Sequence, residues 1–213
     1  MNNKTLLQKY IKIECGIHSN KIKQRLIKEL VAEFKSSGSI PSFEDIQSIS
    51  IQLIQSDTKI HLDFFDAILY PTIKKEIESE NFHAIKLLLQ FNTSLVKFID
   101  KTYSSYDLLK KGLSINPNDI DLLTIFKNNA QTYIQYTIHE VPAGVLYANT
   151  GITAEKCDDL IEYLEEYKDA CSKLNIADSE LIQKAESYYH SYKNYLLNKD
   201  KYEDFEHYLR VQY

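Results

Sequence analysis

The chain has 213 residues, of which 44% are hydrophobic and 26% charged, with a formal net charge of −5, values typical of a globular protein with one or two cores. Five glycines and four prolines supply too few turn residues for a sandwich or barrel of many short strands. The same counts exclude a collagen-like chain, a disulfide scaffold and a low-complexity disordered protein.

Apolar residues recur at three- and four-residue steps through most of the chain, which is typical of amphipathic helices. The first clear stripe lies between Ser19 and Ser36, where lysines fill the opposite face, and a Ser- and Gly-rich segment before Pro41 ends it. Ser42 with Asp45 predicts a capping box at the start of the next helix. Isoleucines that alternate with polar residues in the middle of that segment also permit a strand.

Prolines and a glycine mark the expected helix ends farther along. Pro71 is expected to end or kink the helix that precedes it. The next apolar face continues for about eight turns to Gly112, which suits a left-handed C-cap, although a break near Asn92 would make the segment a helical hairpin. Asn116 suits the N-cap and Pro117 the first position of the following helix.

The longest predicted loop, residues 141–151, is the best candidate for a boundary within the chain. It separates an N-terminal helical region, residues 1–148, from an acidic, Tyr-rich helical region, residues 149–213, and we expect the two to form one continuous domain. His139 and Glu140 lie just before this loop, where functional residues often gather.

Two long helices are predicted after the loop. Thr153 is expected to cap the first, with Cys157 and Cys171 on its buried stripe, and Asp178 or Ser179 to open the second. The sequence therefore predicts an all-α fold, an antiparallel helical bundle or stacked helical hairpins, with about eight to ten helices.

One segment resembles a known repeat. Residues 106–119 are similar to the second helix and closing turn of a tetratricopeptide repeat, with Gly112 five positions before Pro117, where that family has a small residue. Asn92 stands where the family has a leucine, and the following 34 residues do not match. The resemblance implies a helical repeat protein.

Catalytic motifs are missing from the sequence. It has no glycine-rich phosphate loop, paired CxxC, GxSxG elbow or HExxH, so we predict that the protein is not an enzyme and holds no cofactor. The metal-like pattern is Glu186 with His190 and Glu203 with His207, each pair four residues apart on one helix face. A helical metal-dependent hydrolase that uses these four residues is the alternative.

Charge and tyrosine are unevenly spread. Residues 1–36 hold eight basic and three acidic residues, whereas residues 153–213 hold eight basic and fourteen acidic ones and nine of the sixteen tyrosines. In the last long helix, Tyr188, Tyr192 and Tyr195 are predicted to share one face while Tyr189 points elsewhere. The predicted partner-binding residues are Tyr188, Tyr192, Tyr195, Glu186, Tyr163 and Glu166.

These features favour a binding protein. We predict a non-enzymatic, cytoplasmic helical protein, a monomer or homodimer, that binds another protein with a basic surface. A bacterial immunity protein that neutralises a toxin is the concrete version, and a helical adaptor is its sibling. Overall acidity argues against binding of nucleic acid, and no apolar run reaches the roughly 18 residues that a membrane span needs. Cysteines at 15, 157 and 171, odd in number and widely spaced, favour a reducing compartment.

Overall fold

Ten α-helices make up most of the computed structural model, which describes residues 3–38, 40–91, 103–147 and 153–212 and shows no strand within these ranges. The predicted all-α fold class is confirmed. The helices are α1 (Asn3–Gly16), α2 (Asn20–Ser36), α3 (Phe43–Gln55), α4 (Tyr70–Glu78), α5 (Phe82–Gln90), α6 (Ser105–Ile115), α7 (Ile120–Ile138), α8 (Ala154–Lys173), α9 (Ser179–Leu197) and α10 (Phe205–Gln212).

The chain divides into two compact units, Met1–Pro117 and Asn118–Tyr213. This division lies earlier in the chain than the boundary between residues 148 and 149 that the loop predicts. The reason is that α7 packs against α8 and α9 and so belongs to the second unit. Counted over the second unit, seventeen acidic and nine basic residues give a net charge of −8, and the first unit carries +3.

In the first unit, α1 packs on α2, α4 on α5, and α5 on α6, while α3 contacts α1, α4 and α5. The capping box predicted for α3 is present: the Ser42 hydroxyl accepts from the Asp45 amide at 3.2 Å, and the Asp45 carboxylate accepts from the Ser42 amide at 3.4 Å. This segment is helical and not a strand. Tyr10 ties α1 to the chain before α4, because its buried hydroxyl donates to the Lys59 carbonyl at 2.8 Å and accepts from the His61 amide at 2.7 Å.

Pro71 does not end a helix, as one of the two expected outcomes had it, but lies in the first turn of α4. It is the second residue of α4, and a π-helical turn, Phe65–Leu69, precedes it after the short helical turn Leu62–Phe64. A proline needs no amide hydrogen bond in the first turn of a helix, so this position tolerates it.

Two predicted helix ends are wrong. Gly112 is a buried residue inside α6, which ends at Ile115 with Asn116 as its C-cap. Asp119, not Asn116, is the N-cap of α7, because its carboxylate accepts from the Leu122 amide at 3.0 Å. The continuous helix to Gly112 is also wrong: α5 ends at Gln90, as in the hairpin alternative, whose break at Asn92 lies outside the described residues.

The second unit is built around α8, which packs against both α7 and α9, while α10 packs on α9. Cys157 and Cys171 are buried on α8, as predicted, and burial raises the pKa of both thiols. The buried Tyr167 hydroxyl of α8 donates to Asp178 at the start of α9, and the Gln131 amide of α7 donates to the same carboxylate at 3.3 Å. These bonds join three helices at one carboxylate.

Candidate functional site

The exposed aromatic group of the second unit lies where α7 ends. Tyr136 and His139 of α7 and Tyr147 of the following turn form what we name the Tyr136 cluster. The Tyr147 ring is stacked on both others, with centroids 5.3 Å from Tyr136 and 4.7 Å from His139. Tyr136 is 53% exposed and the His139 side chain 48% exposed, so the cluster presents open ring surface to solvent.

Backbone hydrogen bonds bring Tyr147 back onto the end of α7. The amides of Ala143 and Val145 donate to the Glu140 carbonyl at 2.9 and 3.1 Å, and the Tyr147 amide donates to the Thr137 carbonyl at 3.1 Å. Gly144 adopts the left-handed conformation in this turn, with φ of +82°, which glycine takes at little cost. The turn thereby positions the Tyr147 ring against the other two rings.

Polar atoms border the rings on one side. The His139 Nδ1 atom lies 2.7 Å from the Tyr136 carbonyl oxygen, and its Nε2 atom lies 3.3 Å from Glu140 Oε1. Glu206 at the start of α10 lies against the same turn, since a Cβ atom added to Gly144 would be 3.4 Å from the Glu206 Cβ. The cluster therefore combines aromatic faces with the Glu140 carboxylate, and Glu206 adds negative charge at the same turn.

Half-exposed rings continue from the cluster toward α8. Tyr133, one turn before Tyr136, is 39% exposed and meets the Tyr163 ring edge to face, with centroids 5.4 Å apart. Tyr163 in turn contacts the buried Phe126 ring at 5.8 Å. Burial and the neighbouring Tyr136 raise the pKa of Tyr133. Tyr163 is thus the predicted partner-binding tyrosine that lies beside the exposed rings.

The other predicted tyrosines are arranged differently from the expectation. Tyr192 and Tyr195 are each 7% exposed and pack against the Phe205 ring of α10, with centroids 4.7 and 5.4 Å away.

Tyr188 is half-buried, with the Lys184 amino group 5.9 Å from its ring centre. Tyr189, expected to point elsewhere, is the most buried of the four and shares a 2.5 Å hydrogen bond with Thr137. Burial raises its pKa to about 12.

Carboxylates of α8 and α9 are partly neutralised within the unit. Glu186, a predicted partner-binding residue, accepts from Lys168 at 3.2 Å, and Glu166 is half-buried on α8. Asp158 accepts from Lys193, and Glu165 shares Lys168 with Glu186. Lysines thus cover part of the acidic surface that the sequence predicts.

The alternative metal ligands do not come together. Glu186 is bonded to Lys168, His190 is exposed on α9, and the His207 Nδ1 atom accepts from the backbone amide of Glu203 at 3.2 Å. Throughout the described ranges, no three His, Cys, Asp or Glu side chains are grouped closely enough to hold a metal ion.

Tyr136 and Tyr147 are not among the site residues that the sequence predicts. His139 and Glu140 lie just before the predicted loop, and the three-residue spacing of Tyr133, Tyr136 and His139 is the signal that places them near one helix face. Tyr147 gave no such signal, because its place depends on the turn that folds it back.

Comparisons with protein-family models, curated proteins and solved structures found no match to this chain. The described helices also give no sign of a tetratricopeptide-like repeat. In the same parts of the chain, no helix combines the length and apolarity needed to cross a membrane.

Proposed function

We propose that this protein is a non-enzymatic binding protein that docks another protein with a basic surface through the Tyr136 cluster. The observation that carries the proposal is that the Tyr147 ring is stacked on the exposed rings of Tyr136 and His139, on a unit with a net charge of −8. Tyrosine rings supply large, rigid contact area with a polar edge, and they are enriched at protein interfaces.

The charge of the second unit supports a basic partner. A surplus of carboxylates attracts a cationic surface over a distance and accelerates the encounter. Part of that charge is used in lysine pairs on α8 and α9, whereas Glu140 lies at the exposed rings themselves. We therefore assign the docking face to the end of α7, and Tyr192 and Tyr195 to the packing of α9 on α10.

Neutralisation of a bacterial toxin is the concrete version of this proposal. An immunity protein blocks its partner's activity when the two bind, whereas a helical adaptor leaves that activity intact. An activity assay of the captured partner, with and without this protein, therefore separates the two versions.

Site-specific photo-crosslinking tests the docking face. We would place a photoreactive phenylalanine at position 136 of the full chain, expose it to lysate of the source cell, and identify crosslinked proteins. Position 106 is the matched control, because Tyr106 is a 40% exposed helical tyrosine of the first unit. We expect a single stoichiometric partner at position 136 and none at position 106.

A double variant, Tyr136→Ala with Tyr147→Ala, provides the second arm. In affinity capture it should lose the crosslinked partner, while Tyr106→Ala retains it. Capture that is equally strong in both variants would refute docking through the Tyr136 cluster. Capture by neither variant nor the unmodified protein would refute the binding function.

A further inference from the structure

We infer that the Tyr136 cluster holds an arginine side chain of the partner, with the guanidinium stacked on the exposed rings and donating hydrogen bonds to Glu140. This inference rests on the proposed function and specifies its chemistry. It depends on where the protons of His139 lie, on the open ring faces and on the local charge.

The hydrogen bonds of His139 indicate which of its ring nitrogens carries a proton. A carbonyl oxygen only accepts hydrogen bonds, so the Nδ1 atom that lies 2.7 Å from the Tyr136 carbonyl must carry a proton. In the neutral imidazole the Nε2 atom is then an acceptor. It lies 3.3 Å from Glu140 Oε1, which is also an acceptor. In this tautomer two acceptors face each other, and a group with several N–H donors can bond to both.

The shape of the cluster favours one kind of cationic donor. The cluster offers half-exposed rings beside two acceptors, so the complementary group is planar, cationic and rich in N–H groups. A guanidinium has five donors in a flat fork and stacks on aromatic faces, whereas an ammonium is a compact charge without a plane. Cations placed over tyrosine rings are also attracted by the ring electrons.

The charge around the rings is negative. Glu140 is 43% exposed at its side chain, and Glu206 lies against the same turn beside Gly144. A cation bound at the rings meets the Glu140 carboxylate, and Glu206 adds negative charge at the same turn. The competing donor is His139 itself, since an imidazolium would bond Glu140 without help from a partner; in that case Glu140 would contribute nothing to arginine binding.

Two labelled peptides test the inference directly. Fluorescence anisotropy would compare a peptide that alternates glycine with arginine and one that alternates glycine with lysine, of equal length and charge, on the full-length protein. We expect the arginine peptide to bind at least about threefold more tightly. Tyr136→Leu and Glu140→Gln should each bring that ratio close to one.

The controls separate the site from general charge and from misfolding. Glu180→Gln removes the same charge from the exposed start of α9, and Tyr106→Leu removes an exposed tyrosine of the first unit. Both should keep the preference for arginine. In a spectrum of ¹⁵N-labelled histidine, with His139 identified through a His139→Phe variant, the His139 signals should move with the arginine peptide and not with the lysine peptide.

Equal affinities for the two peptides, or a ratio that Glu140→Gln leaves unchanged, would overturn the inference. The outcome for the proposed function is separate. If partner capture still depends on Tyr136 while the peptides bind equally, the docking face stands and the arginine inference falls. If capture is also independent of Tyr136, both fall.

Discussion

Replacement of Tyr192 by alanine tests whether this ring belongs to the core of the second unit. Tyr192 is 7% exposed, and its ring meets Phe205 edge to face at 4.7 Å and Tyr195 at 5.9 Å. A buried aromatic side chain removes about 150–250 Å² from water, which at about 25 cal/mol per Å² sets an upper bound of about 4–6 kcal/mol. Truncation of buried aromatic residues to alanine costs about 3–5 kcal/mol, and we expect a loss of about 3 kcal/mol.

Tyr136→Ala is the matched comparison, because its ring is 53% exposed and its loss opens no internal cavity. We expect it to lower the free energy of unfolding by about 1 kcal/mol or less. Tyr192→Phe keeps the ring and should also stay within about 1 kcal/mol of the unmodified protein.

Urea unfolding of the full chain, followed by far-ultraviolet circular dichroism, measures all three variants. Because the chain has two compact units, the curve is fitted with two transitions where the unmodified protein shows them. Tyr192→Ala should move one transition and leave the other in place. A loss of unfolding free energy below about 1 kcal/mol, with an unchanged dependence on urea concentration, would mean that the Tyr192 ring is not packed in the core.

Three further changes test the first unit. Tyr10→Phe removes the hydroxyl that bridges two backbone groups before α4, so it should lower the free energy of unfolding by about 1–2 kcal/mol in urea titration, and no change would refute the bridge. Ser50→Ala should raise the melting temperature, because the buried Ser50 hydroxyl has no hydrogen-bond partner among the described residues; a lower melting temperature would contradict this. Hydrogen bonds from Ser104 lower the pKa of Asp107 from its ordinary 3.8, so the stabilisation of α6 is complete above that value and is lost as the pH falls below it. Asp107→Asn should therefore unfold with a weaker dependence on pH below 4 than the unmodified chain, and an identical pH dependence would exclude this contribution.

Local signals predicted the helices better than their ends. The capping box at Ser42 was predictable because it depends on residues within one turn. The helix after Thr153 begins where the sequence predicts, although the Thr153 side chain makes no capping hydrogen bond. The sequence predicts the start of α7 too early, because Asn116 and Asp119 are both favourable N-cap residues. Only the folded backbone decides which of the two side chains accepts from a free amide of the first turn. The expectation that a helix ends at Pro71 was wrong, because the chain forms a π turn up to Leu69 and a helix that begins at Tyr70, and a proline motif does not specify that arrangement.

The sequence by itself determined the fold class, the buried cysteines of α8 and the acidic, tyrosine-rich character of the second half of the chain. Those properties follow from the composition and from the helical spacing of apolar residues, which can be read within each segment separately. Only the tertiary structure decided which tyrosines are exposed. Residues 188, 189, 192 and 195 cover more than one face of α9, and their burial depends on α7 and α10, which contact that helix from elsewhere in the chain. Tyr136 and Tyr147 meet because a turn reverses the chain between them, and the backbone hydrogen bonds of that turn follow no period that a hydrophobic pattern could reveal.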